Sequence, residues 1–526
     1  MIESNNQLPG VYLKEIDGVC NSVVAVATAV PAFIGYTPQA KYEGKSYANI
    51  AQKITSFADF KAFYCYGDPA APADPVKQYN PQYYLVQEKS KPFDKDYLII
   101  NNSYYSVLPD PNTIYYLYNS VKLFYQNGGG DAYIVSVGTY GAPSGNPINP
   151  GEQIVNPNVK LADLQAGLAL LVNEGEPTMY ICPEATLLSV AENSMLMEEM
   201  LLQCTNTQTS ISVFDIIGGR NPDPFSYTQD IETFREGTGV IGLKYGTAYY
   251  PFIGTTIMDD SEIDFSNIFG GDVKQLAPLI NPPATANQAI TTILENIENP
   301  QCAKLSVSEY SNALTNASEV YKNILKHILA DANILPPSGA MAGIMATIDS
   351  QCGVWKAPAN VTPVGASVLP ISLSQKQQEN LNMDAVSGKS INVIRFFDGI
   401  GIVVWGARTL DGNSLDWKYL SVRRTVTMIE QSCKLAAHQY VFQPNDKNTW
   451  EAVKSMISAF LTTIWNQGGL MGASVSDAFS VVCGFGTTMT AEDILQGFMN
   501  VTVKLALVRP AEFIVLTFQQ QMAASS

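Results

Sequence analysis

Along the first half of the chain the apolar positions change period repeatedly. Segment 22–37, rich in Val and Ala and closing on Pro31-Ala-Phe-Ile-Gly-Tyr-Thr-Pro38, predicts a buried strand entering a domain. A Ser/Thr start followed by helically spaced apolar residues predicts a short helix over 54–63. Segment 114–126 predicts a helix stopped by Asn127-Gly-Gly-Gly130, followed by a strand at 132–137. Helices over 161–173 and 187–203 alternate with strands at 178–182 and 210–217, an order that indicates an α/β domain. Further helical material is expected over 286–301 and 308–332 before the Pro336-Pro337 break, and a weaker helix over 375–386.

The C-terminal part reads as strands at 391–397 and 400–405, two helices, and two more strands at 501–507 and 512–518. In the first helix Val422, Val426, Ile429, Cys433, Ala437 and Tyr440 form one face, which leaves Arg423, Lys434 and His438 elsewhere on its surface. In the second, Trp450, Val453, Ile457, Phe460, Leu461 and Ile464 oppose Glu451, Lys454, Ser458 and Thr462. Two extended segments lack a neighbour to pair with in sequence: Val11-Tyr-Leu-Lys-Glu-Ile16 after Pro9-Gly10, and the last strand beyond Pro510. From 67 to 112 the character shifts to Pro, then to Tyr, Asn and Lys, which reads as a peripheral insertion with outward-facing tyrosines.

Length makes two or three domains the expectation for 526 residues. With 46% hydrophobic and only 15% charged residues, the chain suits a subunit buried in an assembly. A net charge of -17 disfavours polyanion binding, so nucleic acid is not an expected partner. The eight cysteines, at 20, 65, 182, 204, 302, 352, 433 and 483, show no paired spacing and read as small buried hydrophobes in a reducing compartment. The first residues lack the pattern of a secretory signal, and no apolar run approaches the roughly 20 residues of a spanning helix. The expectation is cytoplasmic assembly, with any release by another route such as lysis, or with anchoring through other components.

Candidate chemistry is sparse. His327 and His438 lie in different helices without metal-ligand spacing. Gly128-Gly-Gly130 lacks the Gly-Lys-Ser/Thr of a phosphate loop, and Gly399-Ile-Gly401 lacks the spacing of a dinucleotide turn. Asp259, Asp260, Glu262 and Asp264 could suggest a cation site, but without calcium-loop spacing a solvated acidic loop accounts for them better. The Met195–Met200 stretch reads as core. No catalytic residue, metal ligand or cofactor is assigned.

A resemblance adds what these patterns do not. The stretch 334–360, beginning Ile334-Leu-Pro-Pro-Ser-Gly-Ala-Met-Ala-Gly343, resembles a long signature of contractile tail-sheath proteins. So do Pro9–Ile16, Trp417-Lys-Tyr-Leu-Ser-Val-Arg-Arg424, Val441-Phe-Gln-Pro-Asn-Asp446 and Val508-Arg-Pro-Ala-Glu-Phe513, in the family's order. The resemblance implies a structural subunit, not an enzyme, that stacks as hexameric rings around an inner tube. Baseplate and cap proteins, and further sheath paralogues, would be its other partners. It also implies an inner α/β domain completed by strands exchanged between subunits, formed from 1–38 with 391–526, and an outer α/β domain over 39–390 carrying the insertion at about 67–113. The expected intersubunit arms are Val11, Tyr12 and Leu13 at one end and Phe513, Ile514, Val515 and Leu516 at the other. Arg423, Lys434 and Lys454 are candidates for contact with the tube or a neighbour. A static collar or baseplate adaptor, a type VI secretion sheath, or an α/β enzyme are the other readings. The N-terminal arm, in place of a Leu-rich helix, counts against the type VI sheath.

Overall fold

The computed structural model describes residues 22–65, 77–92, 97–299 and 305–513. Internal contacts divide the chain into a large unit, Ala27–Met428 with Arg509–Ser526, and a small unit, Met1–Val26 with Ile429–Val508.

At the centre of the large unit lies an eight-stranded sheet. In chain order its strands are β1 (Pro31–Thr37), β2 (Gln52–Ile54), β3 (Ala132–Thr139), β4 (Met179–Ile181), β5 (Ile211–Asp215), β6 (Gly246–Tyr250), β7 (Asn392–Phe397) and β8 (Gly401–Val404). They lie in the order β8-β7-β6-β5-β4-β1-β3-β2. The inner six are parallel, and the edge strands β8 and β2 run antiparallel to their neighbours. β1 and β5 are buried along their whole length, as expected of strands covered on both faces by helices. The boundary expected at 391 therefore falls elsewhere. The strands at 392–404 extend the large sheet by pairing with Tyr249 and Tyr250, and the division comes at Met428.

The helices that cover the sheet include α1 (Leu117–Gln126), α2 (Leu161–Leu170), α3 (Val190–Thr207) and α4 (Ser338–Cys352). Gly167 lets α2 approach the sheet closely, because a Cβ there would sit 2.5 Å from Val137 Cγ1 and 2.9 Å from Ile34 Cγ2. Helix α4 occupies the signature stretch, where sequence patterning predicts only a break at Pro336-Pro337. Its Gly339 and Gly343 face α1 backbone, and added Cβ atoms would lie 2.4 Å from the Ser120 carbonyl oxygen and 2.5 Å from that of Phe124. The small residues of the signature therefore have a structural reason: they permit backbone-close packing of two helices.

The Tyr-rich region differs most from expectation. Strands Tyr83–Glu88, Leu98–Ile100 and Ser103–Pro109 form an antiparallel sheet. Tyr79 and Tyr83 are buried, and Asn267 binds the Asn80 side chain and the Pro81 carbonyl at 2.7 and 2.9 Å. The segment is built into the large unit's core, to which Tyr79, Tyr83, Leu85, Leu98 and Ile100 belong. Its outward-facing tyrosines are thus only part of the set.

Candidate assembly surfaces

The acidic loop resolves into local caps and ion pairs. Asp259 and Asp264 cap two short turns, Asp264 binds Lys77 at 2.6 Å, and Glu262 binds Lys122 at 3.0 Å. No cluster of metal-ligating side chains occurs among the described residues. No helix among them is long and apolar enough to cross a membrane. Cys65, Cys182, Cys204 and Cys483 are buried thiols, whereas Cys352 is exposed and Cys433 half-buried. Met197 and Met200 are core residues, but Met195 is exposed.

Doubly wound sheets offer a ligand crevice at the carboxyl ends of their strands, where the strand order reverses. Here two of the chain's own carboxyl groups occupy that region. Glu184, just after β4, accepts from the Leu117 N–H at the start of α1 at 2.8 Å. Asp215, ending β5, accepts from the Ser338 N–H and hydroxyl at the start of α4 at 2.9 and 2.5 Å. These helix ends are the positions at which backbone N–H groups would otherwise receive an anion. Burial pushes Glu184 up to about 8 and Asp215 up to about 7, against the opposing pull of those same donors.

The small unit is organised by a long helix, α5 (Lys447–Asn466), and a two-stranded antiparallel ribbon of Phe479–Cys483 and Val501–Leu505. Val453, Met456, Ile457, Phe460, Leu461 and Ile464 form the buried face of α5, in agreement with the sequence periodicity apart from Trp450 and the added Met456. The Val441–Asp446 motif starts this helix. Asp446 caps the Thr449 N–H at 3.0 Å, and Asn445 holds the Trp450 indole at 2.7 Å and the Phe498 carbonyl at 2.9 Å. Phe479 and Cys483 face the core, while Ser480, Thr502 and Lys504 are exposed. Among the described residues neither strand of the ribbon has a second β partner. Apolar side chains crowd the same unit's surface: Leu435, Phe485 and Phe498 are exposed, Leu495 is 87% exposed, and Phe442 projects fully into solvent from a left-handed backbone position (φ 69).

Of the expected arm residues, Val11, Tyr12, Leu13, Ile514, Val515 and Leu516 lie outside the described residues. Phe513 is 68% exposed, and neither it nor Glu512 is in a strand. Lys434 is exposed, and Lys454 is paired with Glu451 at 3.0 Å on its own helix. Arg423 requires correction as a surface candidate. It is 2% exposed, with its guanidinium 4.4 Å from the Trp417 ring centre and 4.9 Å from that of Tyr245, and its Nε donates to Thr427 Oγ1 at 3.2 Å. The helix that carries it, α6 (Leu420–Ala437), is buried all round over 420–429, so no polar face exists there.

Two buried ion pairs escaped sequence reading. Arg424 grips Asp349 of α4 at 3.0 and 2.5 Å and also donates to the Thr28 carbonyl at 2.9 Å. Arg408 grips Glu512 at 2.9 and 2.5 Å. Asp349, Arg424 and Glu512 all lie within the motifs that carry the resemblance, so part of each motif's charge is spent on joining distant parts of the large unit.

Residues 282–410 match the phage tail sheath protein central domain, and residues 413–521 match the phage tail sheath C-terminal domain. A tail sheath protein of Vibrio phage KVP40 is 28% identical over 190 residues, covering 35% of this chain and 26% of the relative. One from Burkholderia phage BcepMu is 26% identical over 142 residues, covering 26% of this chain and 29% of that one. The aligned region thus spans under a third of either curated relative. Among solved structures, the helical sheath of the anti-feeding prophage in its contracted state aligns with a TM-score of 0.56 and 25% identity, over 98% of this chain and 100% of that one. The sheath complex of an extracellular contractile injection system, PVC, shares the fold at 24% identity and a TM-score of 0.57, over 98% and 99% of the two chains. The chain thus carries matches to both the central and the C-terminal domain of phage tail sheath proteins, and its fold is that of the contractile sheath structures along nearly its whole length.

Proposed function

We propose that the chain is the sheath subunit of a contractile injection particle. It polymerises as stacked hexameric rings around an inner tube and contracts to drive that tube into a target envelope. The observation that carries this reading is the two-stranded ribbon of the small unit, whose strands have no further β partner among the described residues. The ribbon packs one face on α5 and, among the described residues, offers its outer strand edges for further pairing. Strands donated by neighbouring subunits pair with them, in the manner of strand addition to a sheet edge. The N-terminal arm at 11–16 and the C-terminal segment beyond 512 are the two donors. Because donor and acceptor are different surfaces, the contact is heterologous and propagates as an open helix. Exposed Phe442, Leu495, Phe485 and Phe498 supply apolar area in the same unit for burial on assembly.

Contraction on this reading is a collective rigid-body movement out of a metastable extended lattice, held back by a barrier until the baseplate releases it. The buried ion pairs keep each large unit a single body while the exchanged strands keep neighbours linked. Lys434 and Lys454 remain the candidates for contact with the tube or an adjacent subunit. Baseplate, cap and further sheath subunits complete the particle, which is assembled in the cytoplasm.

Deletion of residues 1–16 tests the reading. The truncated chain is expected to fold with unchanged circular dichroism yet to form no long tubes in electron micrographs. Tubes of normal length would overturn strand donation by the N-terminus. Rings or collars that never lengthen in the intact protein would favour a static adaptor instead.

A further inference from the structure

The chain leaves the small unit at Val508 and re-enters the large unit at Arg509. Residues 511–513 carry no secondary structure, and Ala511 and Phe513 are exposed. Between them a single side chain, Glu512, turns inward. Its carboxylate accepts both arms of the Arg408 guanidinium fork, at 2.9 and 2.5 Å, together with Asn382 Nδ2 at 3.1 Å and the Tyr419 hydroxyl at 3.4 Å. The socket is itself braced. Arg408 is buried, its N–H donates to Asn392 Oδ1 at 2.8 Å, and its carbonyl accepts from Asn392 Nδ2 and Thr247 Oγ1 at 2.9 and 3.0 Å. Arg408 Nη1 also donates to the Asn382 carbonyl at 3.2 Å. Bidentate arginine–carboxylate geometry of this kind fixes orientation as well as contributing energy. A second ion pair near this segment, Arg509 with Asp416 at 3.6 Å, is solvent-exposed and contributes little.

We propose that Glu512 is a peg that fixes where the C-terminal arm departs from the large unit, and so sets the length of arm available to a neighbouring subunit. The proposal rests on the strand-donation reading above. With the peg seated, the arm departs at 513. With the peg withdrawn, the free segment starts at 509 and gains about 13 Å of reach at ~3.3 Å per residue. Seated pegs therefore transmit the displacement of one subunit to the next with little slack. Withdrawn pegs let it dissipate. Glu512 is a positioning residue, acting through the arm and not by contact with the tube.

Three chains test this: Glu512→Ala, Glu512→Gln, and a deletion of 514–526 that leaves the peg in place. Hydrogen exchange of the soluble chains reads the clamp directly. Amides of residues 509–513 are expected to exchange at least tenfold faster in Glu512→Ala, with Glu512→Gln intermediate because it retains the shape and the Asn382 contact, while the strands of the large sheet keep their protection. Unchanged exchange at 509–513 in Glu512→Ala would overturn the peg. Cryo-electron microscopy of the assembled sheaths reads its consequence. Glu512→Ala sheaths are expected to form with a broadened ring-to-ring spacing and incomplete contraction, neither of which follows from a mere loss of stability. A spacing and contraction identical to the parent would also overturn the proposal. The deletion separates the two levels: normal tubes from the chain lacking 514–526 would refute C-terminal strand donation, while the exchange experiment would still decide whether Glu512 is clamped.

Discussion

Glu184 offers a quantitative test of how the large unit is held together. It is fully buried, one oxygen accepts from the Leu117 N–H at 2.8 Å, and the other has no hydrogen-bond partner among the described residues. Burial raises its ionisation from the ordinary 4.5 to about 8. The native state therefore keeps the proton over a range in which the unfolded chain has already released it. Stability falls as pH rises from 4.5 toward 8, and the loss is complete above 8. At about 1.4 kcal/mol per pH unit the full effect is about 5 kcal/mol, and relaxation around the charge reduces it to roughly 2–5 kcal/mol.

Glu184→Gln removes the titration and keeps the acceptor for Leu117. Its new amide N–H groups meet the site that lacks a partner, which adds a cost of about 1–3 kcal/mol that does not depend on pH. The measurable quantity is thus the slope of the difference, not its offset. Asp215, displaced in the same direction, titrates in both proteins and cancels. Thermal unfolding followed by circular dichroism from pH 5 to 8.5 should show the variant gaining on the parent by about 3–6 °C across that range, for a unit of roughly 400 residues. A difference in melting temperature that is flat with pH would refute the assignment of a protonated carboxyl at this helix start.

Two other perturbations follow from the same geometry. Arg424→Met strands the Asp349 carboxylate in a buried site and should cost about 3–5 kcal/mol, whereas Arg424→Met with Asp349→Leu should recover most of the loss; urea midpoints of the single and double variants measure this. Deletion of residues 77–109, joined by a short Gly/Ser linker, should abolish soluble protein, because Tyr79 and Tyr83 are core residues; recovery of a folded, monodisperse chain would show that the three-stranded sheet is dispensable.

Legibility of the sequence followed the strength of local period. The buried strands at 132–139 and 211–215 and the amphipathic helix at 447–466 are visible because one face, or the whole element, is apolar. Helix α4 is not, because its contact surface is made of Gly and Ala that admit a neighbouring backbone, which leaves no stripe of large apolar residues to count. The Tyr-rich sheet was missed for a different reason: composition suggested periphery. Yet Asn101-Asn102, both with positive φ (49 and 61), is a two-residue hairpin signal between Ile100 and Ser103, and it could have located two of the strands. A single-stripe reading misplaces Arg423, because α6 is buried all round over 420–429. The Arg424–Asp349 and Arg408–Glu512 pairs join residues 75 and 104 positions apart, and no local pattern encodes them.

The large unit buries several charged side chains in pairs. In the large unit, Arg220, Arg408 and Arg424 are each buried and matched to Asp331, Glu512 and Asp349. Buried ion pairs are weak contributors to net stability, since desolvation offsets most of the attraction, but removal of either partner is costly and the fork geometry admits few alternative packings. They are suited to keeping a body from yielding when it is pulled. The small unit exposes Phe442 and Leu495 and carries a ribbon whose strands have no further β partner among the described residues, features that the proposed assembly would cover. A subunit that must transmit movement needs both properties, rigidity between its contact points and adhesion at them. The chain passes between the two units at 26/27, 428/429 and 508/509. The third of these lies within four residues of Glu512, so on the proposed reading the arm would depart just where the chain re-enters the large unit.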